Sequence, residues 1–280
     1  MAIITGGTSG TTADVNSSQE LKTTLTTTLA NSGYARAMYE NDAGTVTGTA
    51  LVVSPEVTDD YRLRVGTDQL LMSEWFNAAA INSALWTSPV TTMAVALSGG
   101  YLILNSGSST ASAAVARVTS YRSFPVAGAS GLSLRFRAQF PFTSVASNVT
   151  EMGLFTATGT TAPTDGVFFR LNASSEFRCV VNKNGTESQS GVLNFSTLVG
   201  TNTTKDFSID VHEDGVSFWI NDVLVYQANF DSGVGPLTSG AVPVTFRTYN
   251  SGVTASAQQI KVSYVAVVQA DVPLLSPAAA

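Results

Sequence analysis

Ser208-Ile209-Asp210-Val211-His212-Glu213 gathers a hydroxyl, two carboxylates and the sole histidine of the chain within six residues. Two carboxylates about 5–10 Å apart can cleave an acetal, one giving a proton while the other attacks or activates water. Asp210 and Glu213 are the acids on offer. A serine hydroxyl such as Ser208 is a poor nucleophile without a base, and no Gly-x-Ser-x-Gly elbow is present. His212 and the lone, distant Cys179 cannot make a zinc set, and no Gly-x-x-x-x-Gly-Lys phosphate loop occurs. Asp165-Gly166, Asp59-Asp60 and Asp231 have oxygens for calcium, but acidic residues at such places commonly just form turns. No cofactor or metal is expected.

The elements that position these groups are strands. Residues 207–229 hold two alternating apolar/polar runs that meet at Asp214-Gly215, with a third after Asn221-Asp222. Asp-Gly and Asn-Asp tolerate the positive φ of tight hairpin turns, so the segment reads as a three-stranded antiparallel meander. With 213 opposite 216, Val211 faces Phe218, Ile209 faces Ile220 and Val225 lies opposite Phe218, giving one apolar face. The other face carries Ser208, Asp210, His212, Ser217, Trp219, Leu224 and Tyr226. Aromatics with polar tips suit sugar rings and protein partners alike. Asp210, His212, Trp219, Leu224 and Tyr226 are the candidate ligand or partner face. A covering segment of the same chain, a subunit or partner, and a small ligand are its three candidate occupants.

The chain has 280 residues, 44% hydrophobic and only 12% charged, about half the usual charged share. Serine, threonine, asparagine and glycine solvate it instead. A net charge of −6 without any Lys/Arg cluster in the sequence disfavours nucleic acid as a partner. One cysteine permits no internal disulfide, and Cys179, on one strand face with Phe177 and Val181, reads as a small core residue. No leader peptide or membrane span is expected.

The first 60 residues hold 13 threonines and two aromatics, Tyr34 and Tyr39. Such a segment buries little apolar area alone. Leu21, Leu25 and Leu29 after Ser18 have helical spacing, but the threonines between 23 and 28 oppose it, and strand pairing onto a neighbouring chain fits equally. From about residue 68 short strands recur: 70–72, 90–97 and 101–104 about Gly99-Gly100, 115–124, 132–140, 151–155, 167–172, 176–182 before Asn184-Gly185, the meander, 242–249 and 259–268. The spacing predicts an all-β sandwich over 68–270, an extended N-terminal arm over 1–67 and, with Pro273 and Pro277 in it, a C-terminal tail over 271–280.

Two resemblances add to this. Leu70-Leu71-Met72 leading into Glu74-Trp75-Phe76, then Asp206-Phe207-Ser208-Ile209-Asp210-Val211, Val216-Ser217-Phe218-Trp219-Ile220-Asn221-Asp222 and a closing strand near 259–268 resemble the concanavalin-like (laminin-G-like) jelly-roll sandwich. The arm, with Tyr39-Glu40-Asn41-Asp42-Ala43-Gly44-Thr45-Val46-Thr47-Gly48, Ser54-Pro55-Glu56-Val57 and Asp60-Tyr61-Arg62-Leu63-Arg64-Val65-Gly66, and the junction Phe76-Asn77-Ala78 resemble structural proteins of tailed bacteriophage virions. The second resemblance implies residence in a virion assembled in the host cytoplasm. There residues 1–67 would anchor to other virion proteins, of capsid, fibre or tail, while a homo-oligomeric jelly roll is displayed outside.

Jelly rolls of this kind include glycoside hydrolases, whose retaining pattern is Glu-x-Asp-x-Glu or Glu-x-Asp-x-x-Glu. Here Asp210 and Glu213 fit the longer form, but Ser208 stands in the nucleophile's place. The expectation is therefore a non-enzymatic virion structural protein of capsid-decoration or head-fibre type. The alternative is a glycan- or receptor-binding module for host attachment that grips a cell-surface glycan through Asp210, Trp219 and Tyr226.

Overall fold

A computed structural model describes residues 69–270, apart from 108, 127–130, 142–146, 173, 175, 231–236 and 254–257, together with three short N-terminal strands. The strands are β1 (Ile4–Gly6), β2 (Thr11–Val15), β3 (Leu21–Lys22), β4 (Gln69–Glu74), β5 (Trp86–Thr87), β6 (Val90–Thr91), β7 (Ala94–Ser98), β8 (Tyr101–Asn105), β9 (Val115–Pro125) and β10 (Gly131–Gln139). They continue with β11 (Asn148–Thr156), β12 (Asp165–Leu171), β13 (Phe177–Lys183), β14 (Thr186–Gln189), β15 (Thr204–Val211), β16 (Gly215–Ile220), β17 (Val223–Asn229), β18 (Ala241–Asn250) and β19 (Gln259–Ala270). A helical turn, α1 (Phe195–Leu198), the only one among the described residues, is capped by the Asn194 side chain, which accepts from Thr197 N–H.

The chain divides into two units, Met1–Val65 and Gly66–Ala280. In the first, β1, β2 and β3 form a small antiparallel sheet. Leu21–Lys22 are strand, and the other residues considered for a helix lie outside the described residues, as do the rest of the arm and the tail 271–280.

The second unit is a jelly-roll sandwich. Its first sheet runs β17-β16-β15-β10-β19-β8-β7, with β4 also on β19; its second runs β14-β13-β12-β11-β18-β9-β5, with β6 also on β9. Every pair within these sheets is antiparallel. Alternation builds the core from both: Leu132, Leu134, Phe136, Phe207, Ile209, Phe218, Val265 and Val267 from the first sheet meet Met152, Leu154, Val167, Phe169, Phe177, Val244 and Phe246 from the second. Phe136 stacks on Phe207 at 5.2 Å and meets Phe246 edge-on at 5.4 Å, while Phe169 meets Phe218 at 5.2 Å. Each such ring contributes about 1.5–3 kcal/mol by leaving water. Cys179 is buried in this core, and burial pushes its thiol well above the usual range. No helix among the described residues is long and apolar enough to cross a membrane.

Three turns bear out the hairpin reading. Gly99-Gly100, Asn184-Gly185 and Asn221-Asp222 have positive φ at both residues and join strands paired immediately on either side. The fourth differs. Val211 pairs with Val216 and His212 N–H donates to Gly215 O, so the turn centres on Glu213-Asp214, one residue earlier than expected. Gly215 is in the strand, where an added Cβ would lie 2.3 Å from Ala228 O. The register moves by two residues, which leaves the faces unchanged.

Candidate functional site

The expected face is the outer surface of the first sheet, and most of it is assembled. Asp210 accepts from Ser133 Oγ at 2.6 Å, and Trp219 lies opposite Ser208 on one side and Leu224 on the other. His212 and Leu224 are exposed. Tyr226 is a correction. A bulge between Phe218 and Trp219 sets Tyr226 opposite Phe218, and its ring lies 5.9 Å from that core ring. One extra residue on the strand turns the tyrosine away from Trp219. Asp206 shares this face with Asp210 but is taken up by Arg137 at 2.7 Å, and Ser208 between them leaves the acid pattern incomplete.

Asp165 serves a loop junction: Oδ1 accepts from Asn184 N–H and Thr238 N–H, and Oδ2 from Ser239 Oγ. Asp59, Asp60 and Asp231 lie outside the described residues, among which no group of three potential metal ligands occurs.

The richer chemistry is on the outer face of the second sheet. Ladder pairing aligns Arg117 with Arg247, Arg247 with Glu151, Glu151 with Arg170, and Arg170 with Arg178. Five charged side chains thus form one row across β9, β18, β11, β12 and β13. The sequence has no cationic cluster; the sheet makes one. The signal that could have found it was charge at outward positions of otherwise apolar strands, such as Glu151 in Val149-Thr150-Glu151-Met152.

Glu151 and Arg247 are both fully buried. Arg247 Nε donates to Glu151 Oε2 at 2.5 Å, and Arg170 Nε donates to Glu151 Oε1 at 2.8 Å. Arg170 grips Glu187 with both terminal nitrogens at 2.7 Å, so one guanidinium holds two carboxylates. Burial lowers the Arg170 pKa, but the bonds and charges of Glu187 and Glu151 outweigh that and raise it. Burial likewise raises Glu187, yet Arg170, Gln189 and Asn182 outweigh it and hold the carboxyl below the usual range. Arg178 donates to Glu176 Oε2 and to Ser190 O. Bonds from Asn172 and Arg178 lower the Glu176 pKa. The Tyr249 hydroxyl is pushed up to about 12 by burial and the nearby Glu151 charge, which keeps it a neutral phenol at pH 7. Its ring lies 4.5 Å from the Arg247 guanidinium.

Over the Arg170–Arg178 end of this row lies a groove of about 350 Å³ lined by Val149, Arg170, Asn172, Arg178, Glu187, Gln189 and Tyr249, among others. A larger recess of about 530 Å³ near Asn105, Ser106 and Thr110 has neither an arginine nor a carboxylate in its wall. Along β11, Glu151, Gly153 and Phe155 share the outer face by alternation. Glu151 is thus the one acid among these three outward positions of the strand, with glycine and phenylalanine in the other two. An added Cβ on Gly153 would lie 2.4 Å from Val167 O, so close strand approach keeps that place bare.

No family model and no curated protein matches the chain. Solved structures do. A Bacillus licheniformis β-glucanase is 12% identical over 72% of this chain and 98% of its own, with a TM-score of 0.53. The catalytic domain of an endo-1,3-β-glucanase (laminarinase) from Thermotoga petrophila is 13% identical over 74% and 100%, also at 0.53. A structure from work on endo-acting O-glycanases of the human gut microbiota is 14% identical over 72% and 100%, at 0.56. Identity this low carries the fold. It also corrects the expectation of a non-enzyme: the sandwich is shared with endo-glucanases. The acids at 208–213 belong to the first sheet, away from the charged row on the second.

Proposed function

We propose that this chain is a carbohydrate-active jelly roll that takes a glycan in the groove over β11, β12 and β13. The observation that carries the reading is the groove itself. Glu187, Gln189, Asn172 and Arg178 line it beside the Tyr249 ring, in a sandwich of the kind found in enzymes that act on glucans and mucin O-glycans. Sugar hydroxyls both donate and accept. Carboxylate, amide and guanidinium groups together supply both partners, and a buried phenol offers a ring.

Hydrolysis belongs to the same proposal, because Glu151 and Glu187 meet at Arg170. Glu187, kept ionised, is in the state a nucleophile or general base needs. The test is calorimetric binding of lichenan, laminarin and mucin O-glycans, with release of reducing ends measured alongside. Binding of at least one is expected. Arg178→Ala should weaken it about tenfold, the worth of one charge-assisted hydrogen bond at about 1.5 kcal/mol. Glu187→Gln should abolish any release. Failure of all three glycans to bind, or indifference to Arg178→Ala, would sink the groove.

The virion setting enters only as a further part of this proposal and rests on the sequence resemblance. Residues 1–67 would attach the sandwich to another virion protein, so that the groove meets a cell-surface glycan. A chain beginning at residue 68 should keep the groove's binding and lose incorporation into particles; continued incorporation would remove the anchoring role.

A further inference from the structure

The charged row is not balanced along its length. Glu151, Glu187 and Glu176 pair with Arg247, Arg170 and Arg178. Arg117, at the β9 end, has no carboxylate partner among the described residues, and its ladder neighbour is another arginine, Arg247. Burial and then the charge of Arg247 lower the Arg117 pKa.

Both guanidinium groups are tied to the turn that follows β11. Arg117 Nη1 donates to Ala157 O, and Arg247 Nη1 donates to Gly159 O at 2.9 Å. Each still keeps one buried N–H without an acceptor, Arg117 Nε and Arg247 Nη2. Arg247 is 0% exposed. Two adjacent cations with unfilled donors under one turn are costly unless an anion joins them. A planar carboxylate matches the guanidinium fork.

We propose that Arg117 and Arg247 form an anion subsite at the β9 end of the row, filled by the carboxylate of an acidic sugar. The assignment rests on the glycan reading of the groove and names its substrate class: a chain containing uronic acid rather than a neutral glucan.

Inorganic sulfate probes the subsite without any glycan. In the full chain at constant ionic strength, sulfate but not chloride should shift the Arg117 Nε–H resonance saturably. Arg117→Gln, read at the Arg247 side-chain N–H resonances that respond in the unaltered chain, should abolish saturation and leave the Arg178 resonance unchanged. Arg117 is only partly buried, so this variant keeps the test usable where Arg247 variants fail to fold. Absence of a saturable shift overturns the subsite, whatever glycans do.

Oligogalacturonate should then bind at least tenfold tighter than a neutral laminari-oligosaccharide of equal length, with the preference lost in Arg117→Gln. Equal binding of the two overturns the substrate class and leaves the groove reading standing. A sulfate shift without binding of either sugar upholds the anion subsite and removes the groove reading.

Discussion

The two outer faces of the sandwich carry similar chemistry at opposite levels of exposure. On the first sheet Arg137 and Asp206, 2.7 Å apart, have side chains 46% and 59% exposed. On the second Arg247 and Glu151, 2.5 Å apart, are both 0% exposed. In both pairs the residues are ladder partners on adjacent antiparallel strands. The difference is cover. Phe155, Phe168 and Val180 make a second apolar cluster on the outer side of the second sheet, and the turn carbonyls of Ala157 and Gly159 close over the arginines. The same pairing is thus a weak surface contact on one face and a tightly constrained internal network on the other.

The sharpest break between the faces comes from removing one acid from each. Glu151→Ala leaves Arg247 buried beside Arg117 without its carboxylate, and the expected loss is about 3–5 kcal/mol. Urea midpoints at pH 7, with unchanged slope, measure it. A loss below about 1 kcal/mol would mean that the row is hydrated and that the two faces are alike.

The core was legible in the sequence because alternation in 132–140 and 207–229 repeats every two residues. Leu132, Leu134 and Phe136 point inward as that period requires. The hairpins at Gly99-Gly100, Asn184-Gly185 and Asn221-Asp222 were legible because few residue pairs accept positive φ twice in succession. The Tyr226 face was not, because a one-residue bulge leaves no compositional mark. The charged row was hidden for a different reason. Arg117, Glu151, Arg170, Arg178 and Arg247 are scattered over more than a hundred positions, and only the pairing of five strands brings them into line. Trp219 and Asp210 are close in sequence, a property unrelated to depth in the fold.

A second contrast is in acid. The folded-state pKa of Glu187 is depressed: burial raises it, and the Arg170 contacts prevail. The unfolded chain then binds more protons than the folded one as pH falls, so the stability Glu187 contributes is full above its unfolded value of about 4.3 and is lost as pH falls through the lower folded value. Glu187→Gln should flatten the acid limb of a melting-temperature profile below about pH 4.5 and change little of its slope above pH 5. An acid limb of the same steepness in the variant would show that Arg170 does not hold this carboxylate.

The smallest effect belongs to the exposed pair. The hydrogen bond to Asp206 is the main cause that raises the Arg137 pKa, yet both groups stay solvated and screened. Asp206→Asn should change stability by no more than about 1 kcal/mol, and half-molar salt should erase part of even that. Backbone constraint limits the change further, because the neighbouring turn holds both main-chain groups of residue 206: Asp206 N–H donates to Asn221 Oδ1 at 2.9 Å, while Asn221 N–H donates to Asp206 O at 2.8 Å. Those bonds use the main chain of residue 206 and survive the substitution, so the strand end stays pinned when the charge is gone. Asn221→Ala in the same background cuts one of them and leaves the charge in place. If Asp206→Asn proved the costlier of the two, solvent exposure would not be what separates the faces.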